Sequence, residues 1–169
     1  MNWNEYARLA MRTNSETVGT YGRVSLDLMH GAAGLVTEVK EWLEATEEAH
    51  RDEELGDCCW FIALCYLSIA EDRFTITPHK RPVSDPLFAA IELLDIAKRL
   101  YAYGKVKEGD KRKAIEILNG IVAALQINDR HMKSNINKLR ARYPEGFNQA
   151  DALNRDIEAE YSAMGVGRE

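Results

Sequence analysis

The sequence predicts an all-α protein, a helical bundle of four to six helices built around an antiparallel acidic helix hairpin. Three observations predict it. Apolar residues recur at three- and four-residue spacing along most of the chain, the mark of amphipathic helices. Two acidic pairs, Glu38-Val-Lys-Glu41 and Glu54-Leu-Gly-Asp57, are separated by twelve residues. After Asp57 the chain is apolar almost without interruption to Ala70, as befits a central helix.

With 169 residues the chain is long enough for one domain with a real core. A net charge of −5 counts against a general nucleic-acid binder, which is usually basic. No apolar run reaches the roughly 20 residues that span a bilayer, and the N-terminus has no signal-peptide pattern. The expectation is a cytoplasmic protein with no membrane and no nucleic-acid partner. Cys58, Cys59 and Cys65 share one apolar segment in no C-x-x-C pattern, and read as buried small hydrophobes.

In chain order, residues 2–13 form a short helix with Trp3, Tyr6, Leu9, Ala10 and Thr13 at helical spacing. Residues 14–23 are a loop. Ser25 is a candidate N-cap for a helix over 25–46. On that helix Leu28, Ala32, Leu35, Val36, Val39 and Leu43 make a core face. Asp27, Gly34, Glu38 and Glu41 fall on another, with His30 and Gly31 at its margins. Glycine within a helix costs about 1 kcal/mol relative to alanine, so two here mark a close approach, by a neighbouring helix or by a ligand. Residues 52–71 form the next helix, with Glu54 and Asp57 at its mouth.

Residues 73–86, with Pro78, Pro82 and Pro86, are a connector. Asp85-Pro86 starts a third helix that stops at Gly104. Asp110 caps a fourth, running to Tyr143, with a bend or break expected near Asn119-Gly120. Residues 148–164 read as an amphipathic tail helix. The expected domain is thus 1–147, with 73–127 an inserted helical segment and 148–169 a tail. His30–Glu38 aligns without gaps on Leu87–Asp95. That is either a degenerate internal repeat or coincidence between two amphipathic hairpins.

The chemistry lies in the carboxylates. Residues three apart share a side of a helix, so Glu38 pairs with Glu41 and Glu54 with Asp57. A short gap between the helices brings all four together. Four like charges repel unless a cation lies between them, and oxygen-only ligands suit a hard divalent ion such as Mg²⁺. Further along, Asn128, His131, Asn135, Lys138 and Arg142 share a helix face, a solvated surface or a phosphate grip.

In these respects the chain resembles the MazG-like members of the all-α NTP pyrophosphohydrolases. Their pattern is E-x-x-E, a spacer of a dozen or more residues, then E-x-x-D. Leu28–Glu38 and Glu53–Trp60 are similar to the two family helices, and Asn135–Phe147 to the closing segment. The match covers roughly residues 1–72 and 128–147. Residues 73–127 depart from compact members, although Tyr101-Ala-Tyr-Gly-Lys105 is similar to a family loop.

The resemblance implies hydrolysis of an NTP or dNTP to the monophosphate and pyrophosphate. It implies Mg²⁺, with Mn²⁺ as a substitute, on Glu38, Glu41, Glu54 and Asp57, and Glu41 as the residue that activates water. Asn135, Lys138 and Arg142 would bind phosphate, and His30 is a candidate for the substrate pocket with Trp3, Tyr6, Trp42 and Trp60. A homodimer or homotetramer is expected. Two other readings are a helical interaction protein that has kept the fold without activity, and a ferritin-like di-iron protein. The latter needs two Glu-x-x-His motifs on different helices, whereas Glu47-x-x-His50 alone fits here.

Overall fold

A computed structural model describes residues 1–14, 20–21, 24–69, 81–103 and 109–165. Its described residues form eight α-helices: α1 (Trp3–Ala10), α2 (Leu26–Glu44), α3 (Glu48–Ile69), α4 (Pro86–Tyr103), α5 (Asp110–Ala124), α6 (Asp129–Arg142), α7 (Gln149–Leu153) and α8 (Ile157–Met164). A 3₁₀ turn, Met11–Thr13, extends α1. The one β pairing described is antiparallel, between β1 (Thr20–Tyr21) and β2 (Val24–Ser25). The fold is all-α, and no described helix is long and apolar enough to cross a membrane.

Helix α3 is central because its sequence is apolar on nearly every side. Leu55, Cys58, Cys59, Ile62, Ala63, Cys65 and Tyr66 are all buried, in a core contacted by α1, α2, α5 and α6. The three cysteines are free, and burial pushes each thiol pKa up.

Helices α2 and α3 follow one another after three residues. As α2 is read forward its neighbours on α3 run backward: Gly31 lies against Cys65, Gly34 against Phe61, and Glu38 hydrogen-bonds with Glu54. The two glycines serve this helix contact. A Cβ on Gly31 would stand 2.6 Å from Cys65 Sγ, and one on Gly34 would stand 2.1 Å from the Phe61 ring. The other side of α2 buries Leu28, Ala32, Leu35 and Val39, as the periodicity predicts. Val36, predicted for the same face, is half-buried, and Leu43 is 50% exposed in the last turn of the helix.

Several boundaries depart from expectation. Helix α3 begins at Glu48, earlier than 52, so Glu47-x-x-His50 sits at its start. Ser25 directly precedes α2 and its backbone lies in β2; its side chain falls outside the described residues. Asp85 caps α4 as predicted, its carboxylate accepting from the Phe88 amide at 2.9 Å. Asp110 does not cap α5. Gly109 holds that position at φ 92°, and Asp110 is a buried partner of Arg99.

The long fourth helix divides, although not at Asn119-Gly120. Both residues are buried inside α5, where the open face of Gly120 receives Val83. The break falls at 125–128, where Gln126 takes φ 53° and Asn128 starts α6 with a reciprocal cap: its side chain accepts from Arg130, and its amide donates to His131. Likewise the tail is two helices, α7 and α8. Gly104 and residues 70–80, with Pro78, lie outside the described residues.

The N- and C-terminal parts meet. Arg12 donates to the carbonyls of Tyr143 and Pro144, and Phe147 donates to the Arg12 carbonyl. Helix α6 lies on α3, and α8 lies on α6.

Candidate metal centre

Glu38 and Glu41 are one turn apart on α2, and Glu54 stands on the facing turn of α3. One carboxylate oxygen from each lies within 4.8 Å of the others. Glu54 is buried, Glu38 half-buried and Glu41 exposed, so the cluster is rooted in the bundle and opens to water. Asp57, one turn further along α3, borders the same cavity of about 550 Å³.

The electrostatics follow from that crowding. Burial and the charge of Asp57, then the contact with Glu54 and the charge of Glu41, push the Glu38 pKa up to about 9. Burial also raises Glu54, to about 7, with the charges of Asp57, Glu41 and Glu53 adding to it and the hydrogen bond with Glu38 opposing it. The contact raises Glu38 and lowers Glu54, the pattern of a carboxyl–carboxylate hydrogen bond in which Glu38 is the donor. The donor set is all oxygen, anionic and convergent, which fits a hard divalent ion.

Asp57 differs from the other three. Asn135 Nδ2 donates to its Oδ1 at 2.8 Å, and Lys138 Nζ lies 2.5 Å from its Oδ2. Tyr6 in turn donates to Asn135 Oδ1 at 2.6 Å. Lys138 also pairs with Glu53 at 3.2 Å, and Glu53 takes a further hydrogen bond from Tyr161 of α8. The polar face of α6 thus turns inward, onto α3. Its Asn135 and Lys138 are buried and engaged with carboxylates, where the sequence had suggested a grip on phosphate. Asn128 and His131, on the same stripe, serve the α6 cap, and His131 also lies 3.5 Å from Asp52.

Arg142 lies on the cavity wall but is held by Glu160 of α8, Nε to Oε1 at 2.8 Å and Nη2 to Oε2 at 2.5 Å. Arg155 approaches the same carboxylate at 3.3 and 2.8 Å. Burial would raise the Glu160 pKa, but the two guanidinium groups outweigh it and hold it down at about 2. Sequence periodicity carried no sign of this triad, because its members come together only when α8 packs on α6. Glu53 was missed as well, being one step off the E-x-x-D register.

His30 is exposed and forms an aromatic wall with Trp60 and Phe61, ring centres 5.0 to 5.7 Å apart in edge-to-face arrangements. All three line the cavity. Trp60 is fixed there by donating to Thr13 Oγ1 at 3.0 Å. Trp3 and Tyr6 are core residues, and Trp42 is half-buried away from the cavity lining. His50 Nε2 lies 2.8 Å from Glu54 Oε1, and Glu47 is exposed.

No protein-family model matches the chain, and neither does any curated protein or any solved structure.

Proposed function

We propose that this chain is a Mg²⁺-dependent nucleoside triphosphate pyrophosphohydrolase, converting an NTP or dNTP to the monophosphate and pyrophosphate. The observation that carries it is the convergence of Glu38, Glu41 and Glu54 within 4.8 Å, at the floor of a cavity that also has a cationic side and an aromatic wall. We read α2 and α3 as the antiparallel acidic hairpin around which the bundle is organised.

Glu38, Glu41 and Glu54 would hold Mg²⁺, or Mn²⁺ in its place, with Asp57 beside them. Such an ion supplies polarisation of phosphoryl oxygens and a bound water of lowered pKa. Glu41 is the exposed carboxylate of the set, so it is the one placed to take a proton from attacking water. Lys138 and Asn135 hold Asp57 in position from behind. Arg142 faces the phosphates, and His30 with Trp60 and Phe61 offers a surface for the base. Phe88 and Ile91 of α4, at 69% and 47% exposure, suit assembly as a homodimer or homotetramer.

The test is a panel of NTPs and dNTPs incubated with the protein and Mg²⁺. Release of pyrophosphate, lost on chelation, is the expected result. Orthophosphate as the first product would put the reaction in another class.

A further inference from the structure

The cavity has an imbalance of charge. Glu38, Glu41, Glu53, Glu54 and Asp57 all border it, and a polyphosphate would add about four more negative charges. Among the described residues its permanent cations are Lys138, Arg142 and Arg155. Lys138 is 2% exposed and already shared between Asp57 and Glu53. Contact with an incoming anion therefore falls to the two arginines.

Their arrangement suits it. Both guanidinium groups fork onto Glu160, which is 2% exposed, while the Arg155 side chain is 42% exposed. Each fork uses two of a guanidinium's five N–H donors. Arg142 also hydrogen-bonds with Tyr143 and is 17% exposed, so the more open Arg155 has the larger share of donors left for another acceptor, and the trio carries a net charge of +1. Fastening α8 to α6 needs one such fork, which Arg142 already supplies. The second fork brings a further cation to the cavity rim, where Glu160 screens it from the first.

We propose that Arg155, delivered by the C-terminal segment and aligned with Arg142 by Glu160, completes a guanidinium pair that binds the polyphosphate chain of the substrate. The inference rests on the pyrophosphohydrolase reading for the identity of that substrate. It makes residues 148–165 part of the site, with Glu160 a positioning residue.

The test titrates the full-length protein with inorganic tripolyphosphate by calorimetry, and measures NTP turnover beside it. Arg155→Ala leaves the Arg142–Glu160 contact in place, so the helical circular dichroism should be unchanged. Tripolyphosphate should bind roughly ten- to hundredfold more weakly, the worth of a charge-assisted contact. KM should rise by a similar factor with little change in kcat, and Arg155→Lys should fall between. If Arg155→Ala binds and turns over like the wild type, the pair is overturned and the triad merely fastens the tail. If the wild type binds tripolyphosphate through Arg155 yet releases no pyrophosphate from any nucleotide, the pair stands and the pyrophosphohydrolase reading falls.

Discussion

The ammonium of Lys138 lies 2.5 Å from one oxygen of Asp57, with 2% of the lysine side chain exposed. This is an ion pair between α6 and α3, and its loss leaves Asp57 and Glu53 facing each other. Breaking a buried pair by removing one partner costs about 3–5 kcal/mol. Asp57 keeps some contact with water, so Lys138→Ala should cost about 3 kcal/mol in chemical denaturation. It should also reduce kcat/KM, since Asp57 loses its anchor. Unchanged stability would show that water replaces the lysine.

Replacing Glu38, Glu41 or Glu54 with Gln, or Asp57 with Asn, should abolish turnover and leave the helical content intact. Glu38→Gln carries a second expectation. It removes a carboxyl whose ionisation the fold opposes, so the metal-free variant should melt higher than the wild type near pH 8. Full activity in any two of the four variants would end the assignment of this cluster.

The same cluster sets a pH dependence. The Glu38 pKa is raised by folding from its ordinary 4.5 to about 9, and that of Glu54 to about 7. A carboxyl raised in this way contributes stability that is fully present below about 4.5 and lost as pH climbs through the folded value. The metal-free protein should therefore lose stability from about pH 4.5 to about pH 9, with the Glu54 share gone first. Mg²⁺ bound there would relieve the repulsion. Its effect on Tm should thus be larger near pH 8.5 than near pH 6, and binding should release protons to the buffer. A Mg²⁺ shift independent of pH across this range contradicts the site.

Gly31 and Gly34 should respond differently to alanine. A Cβ at Gly31 meets Cys65 Sγ at 2.6 Å and α3 backbone at 3.2 and 3.3 Å, so the helices must part. A net loss of about 1–3 kcal/mol is expected, by denaturant titration. At Gly34 the obstacle is the Phe61 ring, which can turn aside. Gly34→Ala should cost less stability and instead disturb the aromatic wall, raising KM.

Assembly is tested by light scattering at assay concentration. A dimeric or tetrameric mass is expected, and Phe88→Glu should shift it toward the monomer, since the exposed Phe88 ring is the natural contact. A monomeric wild type would remove the oligomer from the proposal.

How much of this was legible in the sequence depends on the range of each interaction. The approach of Glu38 and Glu41 to Glu54 was, because i, i+3 spacing and a short connection are local facts; Asp57 was expected in the same cluster, and it instead borders the cavity in the hands of Asn135 and Lys138. The central place of α3 was legible from its unbroken apolar run. The α5–α6 break was not, because residues 125–128 contain no Gly or Pro, whereas Asn119-Gly120 carries the local composition of a break. The usable signal was Asn128 as an N-cap, with His131 three residues on reaching back to it. The partners of Lys138 and Arg142 were hidden for another reason. Helical spacing gave the face they share, but Asp57 and Glu160 reach them from other helices. Leu43 shows the limit of periodicity, which marks an apolar face without saying which positions on it another element covers.

The enclosed sulfurs of α3 give the molecule a built-in clock. Alkylation needs a thiolate that a reagent can reach, and Cys58, Cys59 and Cys65 are each 0% exposed. A maleimide can label them only after the central helix swings away from its neighbours. That same helix carries Glu54 and Asp57, so the rate of label uptake times the moments when the cavity floor comes apart. A cation that knits the two halves of that floor should slow the clock, with no turnover required to read it.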